Sequence, residues 1–567
     1  MATKAKKKEN FIIHAVILAV AGFVSRALGL LYAVPLYHII GEEGNGYYGT
    51  AYEIYNMLLL ITAYSMPMAI SKIMSVYVAE KDYVNCQRLF KTCLFYVILV
   101  GGAGAVVTYV FAESFVVTPA VLALKVMAPT IFFSGLLSVL RGYTQAHNTM
   151  IPTAVSQIVE QVFNAALSII LALALVKYAS RGGGENILNL LGLNQGKSHQ
   201  YIPPVAYGAM GSALGTLAGV LVALIYMIIN IMLTKTKRRE QYIPDVKIFE
   251  DNDYIKNHKE DTKSPESYFT LFRVIFMYAS PIILTSFIYN IATTLDMKIF
   301  WSWAMENGYP QDTAASIFGI YSRQYLVLIN VPITIASAIS SSMLPSLSVE
   351  FSSNELESVK ARISKSVRSV VVCAVPSVVG LMVLSKPIMQ LLFRGTSQAA
   401  SDALVLGSIS VLFFSVATVL NTALQAMGKS FIAIKNVTRA LIIHLLYVVG
   451  MLKVSGAVMG ILVTGSVIYS SAMCFGNIKS LEKYFHCKLN VISLIGKPII
   501  ASLIMGVITI LSYTLLSGLG LGNFICVLIT VIVSVVTYFV MFYFQDDYMV
   551  KSIFRVTIKG KMKSKIL

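Results

Sequence analysis

Charge is scarce in this chain. Asp, Glu, Lys and Arg make up 13% of its 567 residues, against about a quarter in soluble domains. That deficit excludes an ordinary soluble enzyme or binding module. Cysteine occurs six times, scattered mostly in or beside apolar segments and never as a CxxC pair. Neither a zinc site nor a disulfide framework is therefore supported. Acidic residues are fewer than basic ones, 27 against 45, for a net charge of +18. In a soluble chain that excess would point to nucleic acid, but no soluble domain is present to carry it. In a membrane protein the same excess follows from the positive-inside rule and attraction to anionic lipid, so no nucleic-acid partner is expected.

What the chain has is apolar sequence: 56% hydrophobic residues and a mean hydropathy of +0.73. Apolar windows separated by polar punctuation predict an all-α polytopic membrane protein of about fourteen spans. They lie near 11–34, 50–78, 89–112, 120–142, 152–177, 205–233, 270–300, 314–344, 366–385, 402–426, 431–453, 455–476, 493–517 and 522–545. The N-terminal MATKAKKKEN before an apolar run looks like a signal peptide. The run is long, carries Arg26 and leads into further spans, so it reads as a retained first helix. Lysines and arginines fall in every second turn, for example Lys81 and Arg88, Lys235 to Arg239, and Lys360 to Arg368. Turns such as 41–49 and 306–312 have few. Both termini are therefore expected in the cytoplasm.

The halves resemble each other. Residues 138–154 can be laid on 418–434 without gaps, matching Val139, Leu140, Gln145 and Ala146 with Val419, Leu420, Gln425 and Ala426. Met66-Pro67 likewise parallels Leu344-Pro345. Both pairs run in the same direction, which indicates a parallel repeat of six helices with a site between the halves. The expected organisation is an N-lobe over 1–233, a charged cytoplasmic linker over 234–268, a C-lobe over 269–480, and two further helices with a basic tail over 481–567. A Gly-rich external loop covers 180–204.

Ionisable groups inside spans are the candidate functional residues. Arg26 sits within the first apolar run, facing either a water-filled chamber or the outer headgroups by snorkelling. Glu53 and Lys72 lie near the ends of the second span, where Lys72 also has the snorkelling alternative. Gln157, Glu160, Gln161 and Asn164 recur at i, i+3, i+4 and i+7, so they share one helix face toward a cavity or a neighbouring helix. Asp296 in the seventh span is either a cation ligand or a solvated group near the external end. Arg323 in the eighth suits an anionic substrate or the outer headgroups. Enzyme motifs fail: 192–198 is one residue short of a phosphate loop, and Asp251-Asn252-Asp253 has no domain around it to hold a sugar nucleotide. Transport without a nucleotide engine remains.

The stretches 25–59 (SRALGLLYAVPLYHIIGEEGNGYYGTAYEIYNMLL), 65–75, 140–161, 318–348 and 419–430 together resemble the stage V sporulation protein B/MurJ branch of the multidrug/oligosaccharidyl-lipid/polysaccharide exporter superfamily. The resemblance implies two six-helix lobes arranged as a V, plus two C-terminal helices forming a groove for a lipid tail. It implies a flippase for lipid II, the undecaprenyl-diphosphate-linked peptidoglycan precursor, with the headgroup in a cationic chamber. Ser25-Arg26-x-Leu28-Gly29 matches the first chamber arginine of the family. Two others fall near Tyr32 and Leu59, which are not basic here. A sodium site in some relatives maps onto Asp296, Asn436 and Thr464. The implied driving force is Na+ or H+ coupling or the membrane potential, with no cofactor and no resident metal. Expected partners are the lipid-linked glycan, membrane lipids and the cell-wall synthesis machinery, in the bacterial cytoplasmic membrane. A flippase for another lipid-linked polysaccharide, such as a teichoic or capsule unit, and a cation-coupled multidrug antiporter are the alternatives. A membrane-embedded glycosyltransferase would need an extramembrane domain that the loops are too short to form.

Overall fold

The computed structural model describes residues 2–64, 66–80, 82–147, 149–191, 202–240, 265–487 and 491–544. Every regular element among them is a helix. The phosphate-loop look-alike at 192–198 and the acidic triplet at 251–253 lie outside the described residues. By length and apolar character, eleven described helices can cross a membrane, or twelve if the pair Gln398–Gly407 and Ser410–Ala426, bent by 45°, is one span. The expected fourteen are thus not all recovered by that measure, and one of the eleven, Val20–Ala63, is itself broken at Gly41.

The chain forms two compact units, 1–323 and 324–567. The first contains α1 (Ala2–Leu59), α2 (Met66–Ala79), α3 (Tyr83–Tyr96), α4 (Gly102–Val110), α5 (Thr118–Ala146), α6 (Ile151–Tyr178), α7 (Pro204–Glu240), α8 (Tyr268–Glu306) and α9 (Gln311–Gly319). Short turns of helix at Ala112–Phe115 and Gly184–Leu190 are left unlabelled. α5 is the hub, with 78% of its most apolar window buried, against 17% for the span through α6. α7 meets α6 through Gly208, Gly211, Gly215 and Gly219, one face at spacings of three and four. A Cβ on Gly211 would lie 2.6 Å from the Ala172 nitrogen, and one on Gly215 2.3 Å from the Ser168 nitrogen. The two backbones therefore touch, as small residues permit between membrane helices. α7 runs to Glu240, beyond the expected end at 233.

The segment 35–49 differs most from expectation. Its part 41–49, sparse in cations, is expected to be an external turn. In the structure only Gly41, at φ +66°, interrupts the helix, and α1 continues on both sides of it. Gly44, Gly46 and Gly49 serve packing instead. A Cβ on Gly46 would stand 1.8 Å from the Ala315 carbonyl oxygen, and one on Gly319 of α9 would stand 2.2 Å from that of Glu42. Tyr47 and Tyr48 are consequently buried.

The second unit contains α10 (Leu326–Ser352), α11 (Leu356–Val383), α12 (Gln398–Gly407), α13 (Ser410–Ala426), α14 (Ser430–Val454), α15 (Val458–Phe485), α16 (Val491–Gly518) and α17 (Asn523–Phe544). A short helix at Ser385–Leu392 precedes α12. α14 and α15 are pinned by His444 Nδ1 at 2.9 Å from the Gly465 carbonyl oxygen. His444 is thus a packing histidine. α16 and α17 pack on α11 through Ala501, Met505, Tyr538 and Phe542, and the Tyr538 hydroxyl donates to the Val372 carbonyl at 2.9 Å. The matched stretches 138–154 and 418–434 both fall on a helix–turn–helix, α5–α6 and α13–α14.

Candidate functional site

α9 passes at Gly319 into a π-helical turn, Ile320–Tyr325. Such turns widen the helix by one residue and re-aim the side chains around them. Because Gly46, Gly49 and Gly319 leave no side chain between α1 and α9, Arg323 reaches directly onto α1. Its Cζ lies 4.7 Å above the Tyr48 ring and 5.5 Å from that of Tyr52. Tyr32 lies close enough to act on the same guanidinium. Its Nε is buried with no hydrogen-bond partner. Stacking on tyrosine is worth about 0.5–2 kcal/mol, less than the cost of removing a guanidinium from water. Nearby opposite charge must make up the difference.

Glu53 supplies it, with a second buried carboxylate, Asp296, behind it. Glu53 and Asp296 are 8% and 1% exposed, and Asp296 and Arg323 are both close enough to act on Glu53 electrostatically. Thr293 Oγ1 donates to Glu53 Oε2 at 2.7 Å, and the Tyr321 hydroxyl donates to Asp296 Oδ2 at 3.1 Å. Trp301 Nε1 donates to Thr50 Oγ1 at 3.0 Å, tying α8 to α1. The solvated alternative for Asp296 gives way to burial, and Arg323, half-buried, turns onto the tyrosines of α1 in place of snorkelling. The guanidinium has one carboxylate, Glu53, within electrostatic reach, and Glu53 in turn has Asp296 near it, so a further anion is accepted most readily once Glu53 is neutralised or moves away.

The polar face of α6 finds protein partners. Arg141 Nη2 lies 2.7 Å from Glu160 Oε2, and its Nε donates to Ser156 Oγ at 2.9 Å. Asn164 Oδ1 accepts from Ser168 Oγ at 2.9 Å and Thr216 Oγ1 at 3.3 Å. Thr216 in turn lies 3.4 Å from the Tyr48 hydroxyl, which links Asn164 to the ring under Arg323. Gln157 Oε1 is buried with no hydrogen-bond partner. The Arg141–Glu160 pair is partly buried, and removing one member strands the other. Arg141→Ala is expected to lower stability by about 2–4 kcal/mol, with part recovered in Arg141→Ala/Glu160→Ala. Thermal unfolding in detergent across the full cycle measures it.

The remaining candidates sit elsewhere. Arg26 on α1 and Lys72 on α2 are exposed. Asn436 Nδ2 donates to Asn477 Oδ1 at 2.9 Å and to Ser480 Oγ at 2.8 Å, while Asn477 Nδ2 donates to Asn421 Oδ1 at 3.0 Å. Thr464 bonds the Tyr447 hydroxyl at 2.7 Å. Thr464 and Asn477 are separated by about 20 Å along α15, so Asn436 and Thr464 do not share one ligand shell. No group of three or more His, Cys, Asp or Glu side chains suited to a metal occurs among the described residues. Sequence reasoning did not single out Tyr48, Tyr52, Thr293, Tyr321, Thr216 or Arg141 as site residues. The available signal was the i, i+4, i+7 run of Tyr48, Tyr52 and Tyr55 beside Glu53.

A helical bundle with buried ionisable groups between its spans is the architecture of a membrane transporter, and the chain is a multi-pass membrane protein with the fold of the MurJ and MATE transporters. A solved structure of lipid II flippase MurJ in an inward closed conformation matches it with a TM-score of 0.62 at 16% identity, covering 94% of this chain and 99% of that one. A MATE-family multidrug resistance transporter in an inward-facing conformation matches with a TM-score of 0.58 at 12% identity, covering 83% and 99%. Residues 13–194 match the polysaccharide biosynthesis protein family. In Bacillus subtilis (strain 168), the lipid II flippase MurJ is 22% identical over 478 residues, 82% of this chain and 81% of its own. Stage V sporulation protein B from the same organism is 25% identical over 476 residues, 81% and 82%. The chain is homologous to both over most of its length. Where these names state an activity, it is that of a flippase or a transporter.

Proposed function

We propose that the chain is a flippase that moves the undecaprenyl-diphosphate-linked peptidoglycan precursor, lipid II, from the inner to the outer leaflet of the bacterial cytoplasmic membrane by alternating access. Both termini would then be cytoplasmic. The observation that carries the reading is Arg323, a guanidinium held inside a membrane unit with an unused donor. A diphosphate cannot cross hydrocarbon unaided and pairs well with such a fork. Homology to the MurJ flippase supports the substrate class. Glu53 and Asp296 give the cycle its coupling. A proton or sodium ion neutralising Glu53 would free Arg323 for the phosphates, and its release would expel them. Arg26, Lys72, Gln157, Glu160 and Asn164 remain candidates for headgroup contact, Arg26 and Lys72 from the exposed side. Asn436 and Thr464 act separately if they act in coupling at all.

The test is depletion of the protein with a leaflet-specific assay of lipid II. Outer-leaflet lipid II is expected to fall while the inner pool rises. Unchanged outer-leaflet lipid II, with accumulation of a different undecaprenyl-linked glycan, would assign the protein to a teichoic or capsule precursor instead. If no lipid-linked glycan accumulates inside, the flippase reading fails. The buried carboxylate pair favours one second reading, cation-coupled drug antiport. That reading requires Glu53→Gln to raise drug sensitivity with no change in lipid II.

A further inference from the structure

At the start of α8, where the chain leaves the charged linker, one residue collects most of the polar bonds. Glu266 gives its backbone N–H to Asn85 Oδ1 at 2.8 Å and accepts from Arg88 Nη1 at its carbonyl oxygen at 2.7 Å. Its carboxylate Oε1 accepts from the Tyr77 hydroxyl at 3.0 Å. The receiving turn is itself built for this. Asp82 caps α3 by accepting from the Asn85 nitrogen at 3.0 Å, and its second oxygen takes Asn85 Nδ2 at 2.8 Å. Asn85 is thereby aimed with its oxygen toward Glu266. Arg88 then stacks on Tyr268, with Cζ 5.3 Å from the ring centroid. Behind the clasp, Leu271 and Ile275 enter the apolar cluster of α2 and α3 that also buries Cys86.

We infer that this clasp is a releasable latch on the cytoplasmic side of the first unit, holding the start of α8 against the α2–α3 turn and opening during the cycle. The inference rests on the alternating-access reading for its purpose: a headgroup taken from the inner leaflet needs the cytoplasmic helix ends to part. Its physical basis is the kind of bond used. Arg88, Tyr77 and Glu266 are only half buried and Tyr268 is exposed, so water can replace the bonds of Arg88 and Tyr77 at about 1 kcal/mol each, which leaves the bond to the buried Asn85 as the inner tie. The apolar seal behind is narrow, since Phe269, Phe276 and Met277 on the same helix are exposed. The contact between α1 and α9 is of another kind. There backbone meets backbone over three glycines, and no water fits until the helices separate. The clasp is the contact that opens at the smaller cost.

Cys86, 6% exposed beneath the clasp, is a native reporter. With the other five cysteines replaced by serine, Cys86 is labelled in inside-out vesicles with a membrane-impermeant maleimide. Glu266→Ala and Arg88→Ala are each expected to raise the labelling rate about fivefold or more in monodisperse protein, and an unchanged rate overturns the latch. A second variant separates latch from fixed strut. Asn85→Cys/Glu266→Cys, with Cys86 also replaced, is bridged by a short reducible thiol cross-linker. Bridging is expected to abolish complementation of a depleted strain and reduction to restore it. Full complementation by the bridged protein would make the contact a strut and end the proposal. The labelling experiment needs no substrate, so failure of the flippase reading leaves it standing.

Discussion

Arg323→Ala is expected to abolish complementation of a depleted strain at normal expression, whereas Arg323→Lys retains a fraction of it. Lysine keeps the charge but loses the planar fork and the stacking on Tyr48 and Tyr52. A charge-assisted contact to phosphate contributes about 1.5–3 kcal/mol, which corresponds to a loss of roughly tenfold to a hundredfold in apparent affinity. A second consequence of the alanine variant must be separated from the first. Glu53 would be left buried without its cation, and stranding one member of a buried pair costs about 3–5 kcal/mol. Arg323→Ala/Glu53→Gln removes one stranded charge. If the double variant regains thermal stability but not complementation, the arginine has a role in transport beyond neutralising its neighbours. Full complementation by Arg323→Ala alone would remove it from the mechanism.

Gly46→Ala is expected to cost function nearly as much, by a purely steric route. The added methyl would lie 1.8 Å from the Ala315 carbonyl oxygen and 2.9 Å from its Cα. Backbone atoms cannot rotate away as a side-chain tip can, so α1 and α9 must separate. Overpacking of this sort costs about 1–3 kcal/mol, and here it also draws Arg323 off its tyrosines. Complementation is expected to fall at least about tenfold, the equivalent of about 1.4 kcal/mol, with a lower thermal midpoint. Gly29→Ala is the control, because a Cβ there meets nothing within 4 Å. Equal behaviour of the two variants would show that the close approach of α1 and α9 does not matter.

Sequence reasoning located the charged members of the site for a simple reason. A carboxylate or guanidinium inside an apolar run is costly wherever it points, so Glu53, Asp296 and Arg323 declare themselves without a structure. What they touch is another matter. Tyr48, Thr293 and Tyr321 occur in apolar helices that hold many tyrosines and threonines, and only the distances single them out. The stripe of Gln157, Glu160 and Asn164 was legible from its spacing. Its partners Arg141 and Thr216 come from other helices and were not. The helical class followed from composition and periodicity, but 35–49 was not legible because glycine marks both turns and close helix crossings. Only the identity of the opposing atoms, here the Ala315 and Glu42 carbonyls, decides between those uses.

The two tryptophans carry a practical consequence. Trp301 is 7% exposed and donates to Thr50, at the point where α8 meets α1. Trp303 is half-buried and leans on Tyr309, with ring centroids 5.2 Å apart. With Trp303 replaced by phenylalanine, the protein becomes a single-indole emitter whose colour and quenching depend on whether one helix contact is dry or wet. Movement at this contact of the first unit could then be followed in real time in reconstituted vesicles, without an attached dye and without first knowing the cargo.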